Sequence, residues 1–215
     1  MMKDELKSFE NRMLVRVLKK NTILRFVEML NKYVYLLKEG CIQIAVMNDE
    51  GKEVIKYLVK PGDFFGEISL LGVSESDQDY AIVLEDSVVH FAEVEQMQKW
   101  INIHPDFRTK IYKQIGERVR RAEDRFVSMN FKDAYARICS FLTEFAYDFG
   151  KLTEKGYEIK NFLTHDDIAK LTATSRQTVS STLNELRDQK LIGYNNEVMH
   201  IPFTSKLFRT KPDHN

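Results

Sequence analysis

Arg176, Gln177, Ser180, Ser181 and Asn184 lie close together, at spacings that gather them on one side of a helix. Their chemistry is hydrogen bonding rather than bond making. Arg carries a planar fork of donors, Gln a donor beside an acceptor, and the shorter Ser and Asn can do either. The face they form is nearly free of acid, which suits base edges and phosphates in a DNA major groove. Arg176 matches guanine O6 and N7, and Gln177 matches adenine N7 and N6. Around them, His165, Ser175 and Thr178 are placed to contact phosphates, which fixes position without reading sequence. Ser175, His165 and Asp166 are also the residue types of a hydrolytic triad. They fall where helix caps belong, however, and neither a nucleophile elbow nor a metal-ligand spacing accompanies them, so no enzyme and no metal site is expected.

Two short helices are needed to hold that face. Thr164 and Asp167 have the spacing of a capping box, and Ile168, Ala169 and Leu171 supply the buried side of the first helix. Thr172, Ala173 and Thr174 break the pattern. Ser175, or Thr174 paired with Gln177, can cap the second helix, in which Val179, Leu183 and Leu186 turn inward. The same pattern would fit an ordinary helical hairpin with a solvated face. The stretch GYNNEVMHI, just beyond the second helix, favours the reading head: its Tyr194 and Val198 flank Asn195-Asn196-Glu197, a β-hairpin signature. Two helices followed by a hairpin make a winged helix-turn-helix.

The remainder must carry other domains. With 215 residues there is room for two modest cores, and 43% apolar with 30% charged residues is an ordinary globular balance. Net charge is zero, so any attraction for phosphate must be local. Cys41 and Cys139 form no disulfide or metal framework, and the charged N-terminus resembles neither a signal nor a membrane span. A cytoplasmic protein without membrane contact is expected. Residues 3–20 show helical spacing through Leu6, Phe9, Met13, Leu14, Val17 and Leu18. From Thr22 to His90 the period becomes that of short strands: Tyr33–Leu37, Cys41–Met47, Val54–Val59, Ala81–Leu84 and Ser87–Ala92. The turn signals between them include Glu39-Gly40, Pro61-Gly62-Asp63 and the polar loop 74–79, so a small barrel or sandwich is expected.

Helix returns over 93–104, and Pro105 can open a helix of roughly 25 residues, about 37 Å long. Along it Ile115, Val119, Ala122, Phe126 and Met129 keep the spacing of a coiled-coil seam, which points to a homodimer rather than to a helix lying on its own domain. Asp133 caps a further helix that ends at Gly150, and 151–161 reads as a polar linker with a short strand at Tyr157–Ile159.

In this order the chain resembles the family of the cyclic-AMP receptor protein and the fumarate-nitrate reduction regulator. Two stretches carry the resemblance: DEGKEVIKYLVKPGDFFGEISLL (Asp49–Leu71) and LTHDDIAKLTATSRQTVSSTLNELRDQKLI (Leu163–Ile192). It implies an α+β fold in three parts. These are a cyclic-nucleotide-binding-like β-roll (a double-stranded β-helix or jelly roll) over 1–104, a long dimerisation helix over 105–131, and a winged helix-turn-helix over 132–215. It further implies a dimeric bacterial transcription regulator on palindromic double-stranded DNA, with RNA polymerase as a partner it could recruit.

The departures from the family bear on the effector. In nucleotide-binding members a Gly-Glu pair, here Gly66-Glu67, holds the ribose, and an Arg followed by Ser or Thr neutralises the cyclic phosphate. Here Asp79-Tyr80 stands in that place, and Ala122-Glu123 replaces the small hydroxyls offered to adenine. An acid facing a phosphate repels it, so no cyclic-AMP or cyclic-GMP is expected as cofactor. The iron–sulfur version of the family needs cysteines near the N-terminus, and none precedes Cys41. Lone residues that could ligate haem are His90, His104 and Cys41. A competing reading is a small-molecule sensor, for haem or a ligand other than cyclic-AMP, whose C-terminal domain is a protein-interaction module. Salt-dependent DNA binding separates the two.

Overall fold

A computed structural model describes residues 9, 12–25, 32–73, 79–195 and 197–210. Contacts divide the chain into two compact units, Met1–Asp124 and Arg125–Asn215. In the first unit the strands are β1 (Leu14–Leu18), β2 (Ile23–Arg25), β3 (Tyr33–Met47), β4 (Glu53–Val59), β5 (Phe64–Phe65) and β6 (Asp79–Glu93). They build an antiparallel sheet ordered β1-β6-β3-β4, with β2 on β6 and β5 on β3. A 3-10 helix, Glu67–Leu71, follows β5, and α1 (Val94–Ile103) and α2 (Pro105–Phe131) follow β6. The boundary between the units falls within α2.

Val34, Tyr35, Leu36 and Leu37 are all buried, because the two faces of β3 serve two cores. Tyr35 and Leu37 join Leu18, Ile42, Ile44, Phe65 and Val83 in one cluster. Val34 and Leu36 point the other way, to Phe64, Met97, Trp100, Phe107 and Ile111 beneath the helices. A strand covered on both sides reads as a continuous apolar run rather than an alternation.

Three sequence expectations are corrected. The helix expected over 3–20 is contradicted at Leu14–Leu18, which is a strand paired with 87–91 of β6; residues 3–8, 10 and 11 lie outside the described set. Leu14 and Leu18, four apart, share a face under either period, and the partner strand decides. Second, Tyr33–Leu37 and Cys41–Met47 are one strand, as are Ala81–Leu84 and Ser87–Ala92. At Gly40 the register against β6 shifts instead of turning. Gly40 has φ +92, and a Cβ there would sit 2.2 Å from Ser87 Oγ and 2.6 Å from the Asp86 carbonyl oxygen. Only glycine lets the two backbones meet at this bulge. Third, 151–161 is more than a linker: the strand expected at Tyr157–Ile159 lies within β8 (Gly156–Lys160), which forms a hairpin with β7 (Lys151–Thr153). The segment 26–31, most of the loop 74–79, and Asn196 of the expected hairpin turn lie outside the described residues.

The second unit holds α3 (Ala134–Phe149), α4 (His165–Thr172), α5 (Arg176–Asp188), β9 (Gly193–Tyr194) and β10 (Val198–Pro202). Asp133 caps α3 by accepting from the Ala136 amide at 2.7 Å. Its sheet runs β7-β8-β10-β9, so the expected wing is one edge of a four-stranded sheet. Ile138, Leu142 and Phe145 of α3 are buried, as are Ile168 and Leu171 of α4, Val179, Leu183 and Leu186 of α5, and Ile201 of β10. Arg137 ties α3 to the turn after α4, donating to the Thr172 and Ala173 carbonyls at 2.8 and 2.9 Å. The architecture is α+β: a β-rich N-terminal domain, a long helix, and a C-terminal helix-turn-helix with its wing.

Candidate nucleic-acid interface and effector pocket

The helix pair that carries the candidate interface is assembled by caps. The Thr164 hydroxyl accepts from the Asp167 amide at 3.1 Å, while the Asp167 carboxylate accepts from the Thr164 amide at 2.8 Å, closing the capping box that starts α4. Ala173 ends α4 in the left-handed region at φ 50. Of the two candidate caps for α5 the structure uses Ser175, whose Oγ accepts from the Thr178 amide at 3.0 Å and pairs with the Thr178 hydroxyl at 2.8 Å. Val179, Thr182, Leu183 and Leu186 are buried, which turns Arg176, Gln177, Ser181 and Asn184 to solvent. Ser181 Oγ donates back to the Thr178 carbonyl at 3.0 Å.

His165 and Ser180 sit differently from their neighbours. His165 Nδ1 lies 2.8 Å from Ser180 Oγ, and its Nε2 lies 3.1 Å from the Tyr194 hydroxyl on β9. Burial, and secondarily the Arg176 charge, lower the pKa of this imidazole. Tyr194 was legible in the sequence only as a wing residue; nothing in linear order connects it to His165.

In the first unit Gly66, with φ 74, opens the 3-10 helix at whose start Glu67 is fully buried. Arg118 of α2 pairs with the Glu67 carboxylate. It also donates to the Tyr57 hydroxyl and the Phe64 carbonyl, both at 2.9 Å, with its guanidinium 4.0 Å from the centre of the Tyr57 ring. Gln114 bonds both backbone groups of Phe64, donating to its carbonyl at 2.7 Å and accepting from its amide at 2.8 Å. Burial raises the Glu67 pKa, and the Arg118 charge works against that rise. Asp79 is also buried, and it carries a countercharge: Lys56 Nζ at 2.6 Å. Tyr80 donates its hydroxyl to Glu53, and its pKa is raised by burial and by that carboxylate. Ala122 and Glu123 are exposed on α2. Arg118, Gln114, Tyr57 and Lys56 escaped the sequence reading, because a charged residue on a long helix or a strand looks solvated until the fold supplies its partner.

Along α2 and into the second unit, Ile115 packs partly on the core beneath the helices, while Ala122 is exposed. Val119, Phe126 and Met129 are 53%, 69% and 43% exposed. Of the haem candidates, Cys41 is buried with its thiol pKa pushed well up by burial, and the His104 ring lies 4.2 Å from that of Trp100. Among the described residues no cluster of three metal-ligating side chains occurs, and no helix is long and apolar enough to cross a membrane.

Residues 15–104 match the cyclic nucleotide-binding domain, and residues 136–207 match the Crp-like helix-turn-helix domain. The chain is 31% identical over 160 residues to the global nitrogen regulator of Synechococcus elongatus, covering 74% of this chain and 72% of that one. It is 28% identical over 176 residues to the cAMP-activated global transcriptional regulator CRP of Salmonella typhimurium, covering 80% of this chain and 81% of that one. Its fold is similar to the structure of FixK2 from Bradyrhizobium japonicum, with a TM-score of 0.78 at 18% identity, over 94% of this chain and 99% of that structure. Both stretches that carry the resemblance fall inside the matched domains: the chain belongs to the Crp/Fnr family of DNA-binding transcription regulators.

Proposed function

We propose that the protein acts as a homodimer on a palindromic operator, and that it does so without a cyclic nucleotide. The observation that carries the DNA reading is the start of α5, where the Ser175 cap leaves Arg176 and Gln177 exposed on the first turn. In this motif that turn enters the major groove. The dimer reading rests on the exposed apolar strip Val119, Phe126 and Met129, whose spacing is that of a coiled-coil seam. Half-sites should then lie about one helical turn apart. RNA polymerase is the partner such a dimer would recruit at a promoter.

The effector reading rests on charge. A cyclic phosphate placed at Asp79 would have to compete with a buried carboxylate that already holds Lys56. Glu67 is likewise engaged by Arg118. Asp79 and Glu67 are thus both ion-paired from within the chain, although Glu67 Oε2 is left without a hydrogen-bond partner among the described residues. A phosphate at Asp79 has to break the pair with Lys56 before making its own. Two measurements test these readings. Selection from a random DNA pool should return a two-fold symmetric motif whose affinity falls steeply with salt. Calorimetry with cyclic-AMP or cyclic-GMP should be silent, and a low-micromolar dissociation constant would remove Asp79 from the place of the phosphate-binding residue.

A further inference from the structure

One direction of donation uses every hydrogen bond around His165 at once. In it Ser180 Oγ donates its one proton to the Arg176 carbonyl at 3.0 Å and accepts from His165. His165 then carries its proton on Nδ1. That leaves Nε2 as an acceptor, and the Tyr194 hydroxyl, 3.1 Å away, is its donor. The Tyr194 oxygen in turn accepts from the Asn161 side-chain amide at 3.2 Å. Asn161 spends its second amide proton on the Asn195 carbonyl at 3.3 Å, and its own backbone amide donates to the Glu197 carbonyl at 2.7 Å. Every proton in the row is used once. The row begins beyond the end of β8, crosses the wing at β9, passes through the first residue of α4, and ends on the first carbonyl of α5.

We propose that His165 is a positioning residue: it is the joint of a one-way relay, Asn161 to Tyr194 to His165 to Ser180 to the Arg176 carbonyl, that fixes the wing against the first turn of the reading helix. The inference rests on the DNA-binding reading and deepens it. It gives His165 and Ser180 an internal task, whereas their types alone suggested a phosphate contact and a base contact. Arg176 and Gln177 present their side chains from the turn whose backbone the relay holds, so the relay sets how steadily those two side chains are offered to a groove. The relay also needs the neutral ring, which the burial of His165 and the nearby Arg176 charge favour.

The test uses the full chain and has two arms. In the first, nitrogen NMR of the imidazole at neutral pH, without DNA, should show His165 as the Nδ1–H tautomer, the reverse of the free side chain's preference. Tyr194→Phe should move the ring toward Nε2–H. In the second arm, affinity is measured for the operator returned by the random-pool selection. His165→Asn keeps an N–H where Nδ1 stood but cannot reach Tyr194; His165→Gln keeps an acceptor near Nε2 but loses Ser180. Tyr194→Phe should weaken binding about five-fold in the wild-type background and by little further in His165→Asn or His165→Gln, since either substitution has already opened the relay on one side of the joint. An Nε2–H ring in the unmodified chain, or an equal cost of Tyr194→Phe in all three backgrounds, overturns the relay. A chain that selects no operator yet shows the Nδ1–H ring upholds the relay and removes the DNA reading instead.

Discussion

Arg118 and Gln177 stand at the two extremes of what one side chain can reveal. Gln177 is exposed at the start of α5, and its reach toward a base depends on little beyond the helix that carries it. Gln177→Glu replaces a donor-acceptor pair by an acceptor alone, so base preference at its contact should shift toward cytosine, whose N4 donates. Arg176→Ala should cost about 1–3 kcal/mol and relax preference at one base pair. Motifs selected by each variant check both, and an unchanged motif for Gln177→Glu excludes it from base reading. Those side chains were legible in the sequence because capping and helical period alone decide where they face. Arg118 was not: its partners Glu67, Tyr57 and Phe64 lie far from it in the chain. Arg118→Met leaves Glu67 buried without a cation, a loss of about 3–5 kcal/mol near neutral pH. The sign with pH is set by the raised Glu67 pKa. The folded state then binds more protons than the unfolded one above the ordinary carboxylate range, so stability falls as pH rises through that window. Urea unfolding of the variant should therefore recover part of the loss on acidification toward about pH 5, near the ordinary Glu range. A loss that is flat with pH would mean that Glu67 is not the group left exposed to the damage.

Elements were readable where one physical cause fixed them and misread where two competed. The caps at Thr164, Ser175 and Asp133, and Pro105 at the start of α2, are local and fell where expected. Leu14–Leu18 satisfies both a helical and a strand spacing, and only pairing with β6 resolves it. Gly40 was read as a turn because glycine after a charged residue usually marks one. Its real function is steric: it lets β3 run on past Ser87 and Asp86 at a bulge. Gly40→Ala should accordingly destabilise the N-terminal unit by about 1–3 kcal/mol from backbone strain alone, with the clash against the Asp86 carbonyl adding to it. Gly51→Ala offers the comparison: its φ is +78, but a Cβ there meets nothing within 4 Å. Urea midpoints should rank Gly40→Ala well below Gly51→Ala. Equal midpoints would mean that φ alone, and not the approach of β6, keeps glycine at position 40. The hairpin β7–β8 was hidden for a related reason. Its strands are short and show no clean alternation, Leu152 being exposed, and pairing of β8 with β10 supplies the order that the composition does not.

At the scale of the whole molecule, the apolar strip along α2 is left uncovered among the described residues. Ile115 is partly used by the core beneath the helices, but Val119, Phe126 and Met129 are left at 53%, 69% and 43% exposure. In the homodimer proposed above a second copy of the same helix would cover this strip by two-fold symmetry, each residue meeting its counterpart near the axis. A charge placed there is therefore buried twice and meets its own image. Val119→Glu and Phe126→Glu should each convert the dimer to monomer in sedimentation, and operator affinity should collapse with it, because one reading head holds only one half-site. Gln96→Glu, exposed on α1 and away from the strip, controls for added charge as such. The two effects must appear together: a variant that sediments as a tight dimer removes the strip as the seam. A monomer that still binds the full palindrome as tightly as the wild type would show that the two half-sites are not read by one dimer.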